Sequence, residues 1–230
     1  MKIIPASDSS LLVVFGNVIS PALHERVIAM FRAFRALQDP HIRNLHPGYA
    51  SLLIDFDPLQ CTHDELAATV LQLASGNEFK VDDNSKVVTI PVCYDVEFGP
   101  DLRAVAQHAQ LSVGEVIRRH SSPTYLVYFL GFSPGFAYLA GLPEILYTPR
   151  LATPRPSVAG GSIGIAGSQT GIYPFDSPGG WKLIGRTALR MFDSEATPPT
   201  RLQPGDRVSF SQIDRATFDK MKSQPEGQGA

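Results

Sequence analysis

QTGIYPFDSPGGWKLIGRT, residues Gln169 to Thr187, packs four glycines, two prolines and the chain's single tryptophan into nineteen residues. Between the turn formers lie short pieces such as GIYPF and WKLIG, too brief for helices and rich in β-type side chains. The same texture extends in both directions. Upstream runs AGGSIGIAGS (Ala159 to Ser168), and downstream come ALRMF and DRVSF. Many short strands with turn signals every few residues predict a closed or nearly closed all-β unit. It is entered through SSPTYLVYFLGF and preceded by two short helices. GPDLRAVAQHAQ starts the first at Pro100 and Asp101, and Ser112 with Glu115 forms a capping box for the second, which ends near His120.

The first third of the chain has another rhythm. SLLVVFG (Ser10 to Gly16) is a continuous apolar run ending in glycine, as expected of a buried strand. Ser20-Pro21 then supplies an N-cap with proline at the first helical position. Leu23, Val27, Met30, Phe31, Phe34 and Leu37 recur at helical spacing until Asp39-Pro40 stops the helix. HIRNLHP and ASLLIDF read as two strands joined at a turn containing Gly48. THDE opens a second helix with a capping box of Thr62 and Glu65, and its apolar face is Leu66, Val70 and Leu73. With KVVTIPVCY (Lys86 to Tyr94) as the last strand, the order is strand–helix–strand–strand–helix–strand, the split βαβ or ferredoxin-like arrangement. The polar DDNSK (Asp82 to Lys86) marks the boundary. The expected fold is therefore α+β: a ferredoxin-like domain over 1–84, a β-barrel domain over 85–218, and a disordered tail over 219–230.

Composition narrows the function. A net charge of -2 over 230 residues argues against a broad nucleic-acid surface. LLVVF is too short to span a membrane or form a signal-peptide core, and the N-terminus lacks a basic leader, so a cytoplasmic protein is expected. Cys61 and Cys93 match no metal or redox spacing and read as free thiols. No cluster of histidine, cysteine and carboxylate has metal-ligand spacing, and no Gly-x-Ser-x-Gly elbow is present.

Several segments are candidates for binding. The glycines of AGGSIGIAGS would let backbone N–H groups approach an anion, but the run matches neither a Walker A loop nor the dinucleotide fingerprint; alternating Ser162, Gly164 and Ala166 equally suits a tight barrel strand. Trp181, directly after Gly179-Gly180, either anchors a strand or walls a pocket. On a regular strand Lys182 faces away from Trp181, and Arg186 shares the Lys182 face. TPRLATPRP sets Arg150 and Arg155 in proline-stiffened backbone, which lowers the entropy lost when a guanidinium grips an acid. GFSPGFAYLAGLP interleaves aromatics with glycine and proline. HPGY places His46 and Tyr49 about a turn, with Asp55 and Asp57 downstream.

Taken together, YLVYFLGFSPGFAYLAGL, PRLATPRPSVAGGSIGIAGSQTGIYP, SPGGWKLIGRT, LQPGDRVSF and the N-terminal HPGYASLLIDFDP resemble the 5-oxoprolinase B-subunit family. It is also known as the Kip-type sporulation-kinase inhibitor or allophanate hydrolase subunit 1 family. The resemblance runs over roughly Leu11 to Phe210. It implies a cyclophilin-like shape for the barrel, with no inference of prolyl isomerase activity. It also implies partners, a C-like and an A-like 5-oxoprolinase protein, that together couple ATP hydrolysis, with Mg, to opening of 5-oxo-L-proline to L-glutamate. Under that resemblance Arg150, Arg155, Lys182 and Arg186 are candidates for phosphate or carboxylate binding. Ser162, Gln169 and Thr170 would hydrogen-bond the lactam or nucleotide; Tyr173 and Trp181 would line the pocket beside Ser177, Gly179 and Gly180. No general base is named. Two rival readings go with the same pattern: an inhibitor docking a sensor histidine kinase, and a carboxyltransferase-type role on urea-derived substrates, which the lack of a biotin-carrier region disfavours.

Overall fold

The computed structural model describes residues 1–76 and 87–223, and the chain divides into two compact units, Met1–Ser85 and Lys86–Ala230. The first unit comprises β1 (Lys2–Ser7), β2 (Ser10–Val14), α1 (Pro21–Leu37), β3 (Ile42–Pro47), β4 (Ser51–Phe56) and α2 (His63–Ser75). Its sheet has the order β1-β2-β4-β3 with every pair antiparallel. Leu11 and Val13 of β2 and Leu52, Ile54 and Phe56 of β4 alternate along their strands and meet Val27, Met30, Phe31 and Phe34 of α1 in one core. The Thr62–Glu65 capping box of α2 forms in both directions. In α1 the expected apolar Leu37 is 46% exposed, because the helix ends there against Gln38 in the left-handed conformation.

The fourth strand corrects the expected order. Val87–Cys93 does not join this sheet; the place beside β2 belongs to β1, paired with it through a hairpin. The split βαβ is closed by a strand at its N-terminal end instead of its C-terminal end.

The second unit comprises β5 (Val87–Cys93), α3 (Leu102–Ala109), α4 (Val113–Ser121), β6 (Thr124–Leu130), β7 (Ala137–Ala140), β8 (Arg155–Val158), β9 (Ser162–Ala166), β10 (Gln169–Ile172), β11 (Ser177–Gly179), β12 (Lys182–Arg186), β13 (Arg207–Ile213) and α5 (Arg215–Ser223). Seven strands close a barrel in the order β10-β7-β6-β13-β5-β12-β9. β5 and β13 run parallel over seven residue pairs, so the barrel is mixed. α5 extends through residues assigned to the tail on sequence grounds, and 224–230 lie outside the described residues, as do Asp82 to Lys86.

Ile90, Val92, Val127, Leu139, Ile163, Ile165, Ile172, Ile184 and Val208 fill the barrel interior. α4 delivers a buried polar group to this core. His120 is fully buried, with Nδ1 2.8 Å from the Tyr94 hydroxyl and Nε2 3.0 Å from Thr170 Oγ1. Thr170 spends its one proton on the Gly164 carbonyl at 3.0 Å, so it accepts from His120 Nε2–H and Tyr94 donates to Nδ1. The network fixes a neutral tautomer, and burial pushes the imidazole down to about 3.

The expected cap of α4 is only half made and the residue at the start of α3 makes none, for a common reason. Ser112 accepts the Glu115 N–H at 3.2 Å, but the Glu115 carboxylate turns to Arg118 and Arg119, which hold it down at about 2. Asp101 sits at the N-cap of α3 without capping it, because both of its carboxylate oxygens are engaged elsewhere.

Candidate functional site

β8 and β11 pair with each other, outside the barrel's strand order. A second apolar cluster forms here from Phe136, Val158, Ala166, Tyr173, Trp181 and Leu183. Gly164 of β9 pairs with Gly171 of β10, and both lie on the face opposite the interior isoleucines. A Cβ on Gly164 would sit 2.9 Å from Trp181 Cβ, and one on Gly171 would sit 3.0 Å from Phe136 Cζ and 3.1 Å from Trp181 Cζ3. The two glycines form a flat platform on which the tryptophan rests, edge-on to Phe136 at 5.4 Å and to Tyr138 at 5.8 Å.

The glycine run is therefore strand and platform rather than an anion nest. Its turn bears this out: Gly160 N–H donates to Asp176 Oδ1 at 2.8 Å, and Gly161 N–H donates to the Tyr173 carbonyl at 2.7 Å. Gly161 has φ +81°, and a Cβ there would lie 2.2 Å from the Thr187 carbonyl oxygen.

Gly179, Trp181, Arg150 and Arg155 are the candidate residues that meet around Tyr173. Gly179 leaves room for its hydroxyl, since a Cβ there would come within 2.3 Å of it. Burial raises the phenol, opposed by a hydrogen bond with the Trp181 backbone and by the charges of Arg150 and Arg155. Arg150 also acts on half-buried Tyr138. It is exposed and pairs with no carboxylate among the described residues. Arg155 is already committed: Nη2 donates to Asp101 Oδ1 at 2.8 Å and Nη1 to the Trp181 carbonyl at 3.5 Å. Gly180 accepts the Leu151 N–H at 2.8 Å, which draws the TPRLATPRP segment against the Trp181 turn.

The other candidates lie elsewhere. Thr170 is inside the barrel with His120, and Ser162 is buried on β9 opposite Arg186. Gln169 opens β10 opposite Ala166, half-buried. Lys182 and Arg186 do not share a face, contrary to expectation. A register shift between Leu183 and Gly185 sets Lys182 opposite Ile165 but Arg186 opposite Ser162, and these belong to opposite faces of β9. Arg186 Nε donates to the Gly160 carbonyl at 2.7 Å, away from Tyr173. His46 pairs with Asp55 at 2.8 Å on the surface of the first unit.

The family model for the carboxyltransferase domain, subdomains C and D, matches residues 1–202. The chain is 37% identical to the 5-oxoprolinase B-subunit of Bacillus subtilis, over 94% of this chain and 95% of that protein. This chain belongs to the 5-oxoprolinase B-subunit family. The corresponding protein of Haemophilus influenzae is 42% identical over 91% of this chain and 97% of its own length. Among solved structures, TTHA0988 superposes with a TM-score of 0.80 at 36% identity, covering 89% of this chain and 40% of that longer one. The α+β architecture, a sheet domain followed by a mixed barrel, is thus shared with this relative.

Two features of this B-type chain escaped the sequence. Phe132 is 62% exposed and adopts φ +67°, a conformation costly for a bulky side chain. It stands edge-on to Phe136 at 5.5 Å and to Tyr173 at 6.4 Å. Next to it, Ser133 Oγ is buried without a hydrogen-bond partner, as is Ser177 Oγ on β11. Each of these hydroxyls has hydrogen-bonding capacity that a water or a ligand group can complete. The aromatic spacing in GFSPGF hinted at Phe132; nothing in the sequence distinguished Ser133.

Proposed function

We propose that this chain is the B-subunit of an ATP-dependent 5-oxoprolinase, opening 5-oxo-L-proline to L-glutamate in the cytoplasm together with C-like and A-like 5-oxoprolinase partners. The observation that carries this reading is the 37% identity to the Bacillus subtilis protein across nearly the full length of both chains. The chemistry explains the need for ATP. A lactam resists water, whereas transfer of the γ-phosphoryl group to its carbonyl oxygen releases ADP and activates the carbon. Water then adds to that carbon, the C–N bond opens as the nitrogen takes up a proton, and a second water hydrolyses the resulting acyl phosphate, so that phosphate departs and a protonated amine and a carboxylate remain. Mg would travel with the nucleotide phosphates, which normally supply much of its coordination.

The surface around Tyr173 is our choice for the lactam. Arg150 offers an uncommitted guanidinium to the substrate carboxylate. The Ser133 and Ser177 hydroxyls supply unused hydrogen-bonding groups, and Phe132, Tyr138 and Trp181 give the apolar walls. His120 is excluded as a general base, being buried, neutral and saturated by Tyr94 and Thr170.

The test is glutamate release from 5-oxoproline with ATP and Mg, by the chain alone and then with its two partners. Turnover in the full mixture and not by the chain alone is expected. A stably assembled mixture without turnover would remove 5-oxoproline as substrate and favour a histidine-kinase inhibitor.

A further inference from the structure

A concavity of about 480 Å³ lies in the barrel unit between the Gly160–Gly161 turn, the segment Arg186–Arg190 and α5. Its charge is unbalanced. Asp193 is the one carboxylate lining it among the described residues, and it is occupied by Arg190 Nη1 at 3.1 Å and by the Glu195 N–H at 3.1 Å. Arg186 and Lys222 also line the cleft, and neither pairs with a carboxylate among the described residues.

Arg186 is held ready for a ligand. Its Nε–H is anchored on the Gly160 carbonyl at 2.7 Å and its guanidinium lies 5.9 Å from the centre of the Phe98 ring. One edge of the fork is thus fixed, leaving terminal N–H groups without protein acceptors among the described residues. The anchoring carbonyl is itself fixed, because neither glycine of its turn admits a Cβ without collision. Opposite, Phe218 and Met221 of α5 provide apolar wall, with exposed Lys222 beside them. A pre-aimed guanidinium, a free ammonium and an apolar wall call for a ligand with several negative charges at one end and a flat or apolar body at the other.

Size decides between the two substrates. The cleft falls in the range of roughly 300–1,000 Å³ typical of sites for drug-sized ligands, far beyond what a single five-membered lactam fills. We infer that this cleft seats the nucleoside triphosphate, its phosphates on Arg186 and Lys222 and its body against α5. The inference rests on the reading of the chain as part of an ATP-dependent enzyme. The cleft also adjoins the lactam surface along the chain: Pro174 lines it, and the Tyr173 carbonyl accepts from Gly161 in its wall.

The experiment is calorimetric titration of the chain, and of its complex with both partners, with MgATP, inorganic tripolyphosphate and adenosine. Wild type should bind MgATP, tripolyphosphate should compete for the same site, and adenosine alone should bind far more weakly. Arg186→Gln should weaken MgATP binding at least about tenfold and Lys222→Gln about threefold, with tripolyphosphate losing affinity in parallel. Lys220→Gln, on the same helix but outside the cleft, should change nothing. Lys222→Glu, on an exposed position, keeps the test decisive if Arg186→Gln fails to fold. Equal MgATP affinity in wild type and the cleft variants would overturn the inference, as would absence of MgATP binding to both chain and complex. Glutamate release, measured separately, distinguishes the two readings. A complex that turns over with ATP binding indifferent to Arg186 and Lys222 loses the cleft but keeps the enzyme. Cleft-dependent binding without turnover does the reverse.

Discussion

Arg155 and Asp101, fifty-four residues apart, are joined by a hydrogen-bonded ion pair of 2.8 Å in which the aspartate is 9% exposed. The other carboxylate oxygen of Asp101 accepts the Leu183 N–H at 2.7 Å, and its own N–H donates to the Leu183 carbonyl at 3.0 Å. The pair therefore ties β8, β12 and the start of α3 together. An arginine that reads as a ligand group on sequence grounds is a structural clamp.

The two Pro-Arg arginines should consequently behave differently. Arg155→Ala leaves the Asp101 carboxylate largely buried without its counter-ion, at a cost of about 2–4 kcal/mol. Arg150→Ala removes an exposed, uncommitted side chain and should change stability by less than about 0.5 kcal/mol, while lowering glutamate release by the assembled complex at least tenfold through a raised KM for 5-oxoproline. Urea unfolding curves and steady-state kinetics on both variants separate the effects. Unchanged kinetics in Arg150→Ala would remove it from the lactam surface.

The glycine platform makes an equally sharp contrast. In Gly171→Ala the new Cβ meets the Ala137 carbonyl oxygen at 2.9 Å as well as the Phe136 and Trp181 rings, so strand and rings must part. A loss of about 1–3 kcal/mol is expected, together with a red-shifted emission from Trp181, the chain's single tryptophan. Gly114→Ala, in α4 with nothing within 4 Å of the added Cβ, should instead stabilise by about 0.5 kcal/mol. Thermal unfolding followed by tryptophan fluorescence measures both.

His120 builds acid sensitivity into the barrel. In the unfolded chain it takes a proton as pH falls through its ordinary value near 6.5, whereas in the folded barrel it stays neutral down to about 3. Between these limits the unfolded state binds the extra proton, so stability falls with falling pH, by on the order of 1 kcal/mol per pH unit. Above pH 6.5 this contribution is complete and flat. His120→Gln removes the titrating group, and its urea-derived stability should depend less steeply on pH between about 6 and 4 than that of wild type. Parallel slopes would show that the buried network does not supply the dependence.

Local pattern was enough to determine much of this protein. The α1 and α2 helices follow from apolar periodicity and from the Thr62–Glu65 capping box, because those signals are satisfied within a few residues of chain. The change of texture after Pro123 and the turn-punctuated strands beyond it announced a barrel, and the ordered blocks from Leu11 to Phe210 announced the family. What tertiary structure decided were questions of partnership. Val87–Cys93 has the same β character in either unit, and only its pairing with β13 and β12 places it in the barrel. Glu115 gives up its half of the capping box to Arg118 and Arg119, and Asp101, at the start of α3, turns instead to Arg155 and the Leu183 N–H, both distant in sequence. Lys182 and Arg186 are separated by a single-residue slip that no composition records, since strand side chains change face with each residue. Ser133 became visible only when its hydroxyl was found buried without a partner, a property of the surroundings and not of serine. Short-range periodicity and capping are written in consecutive residues; the identity of a side chain's long-range neighbour is settled when the barrel closes.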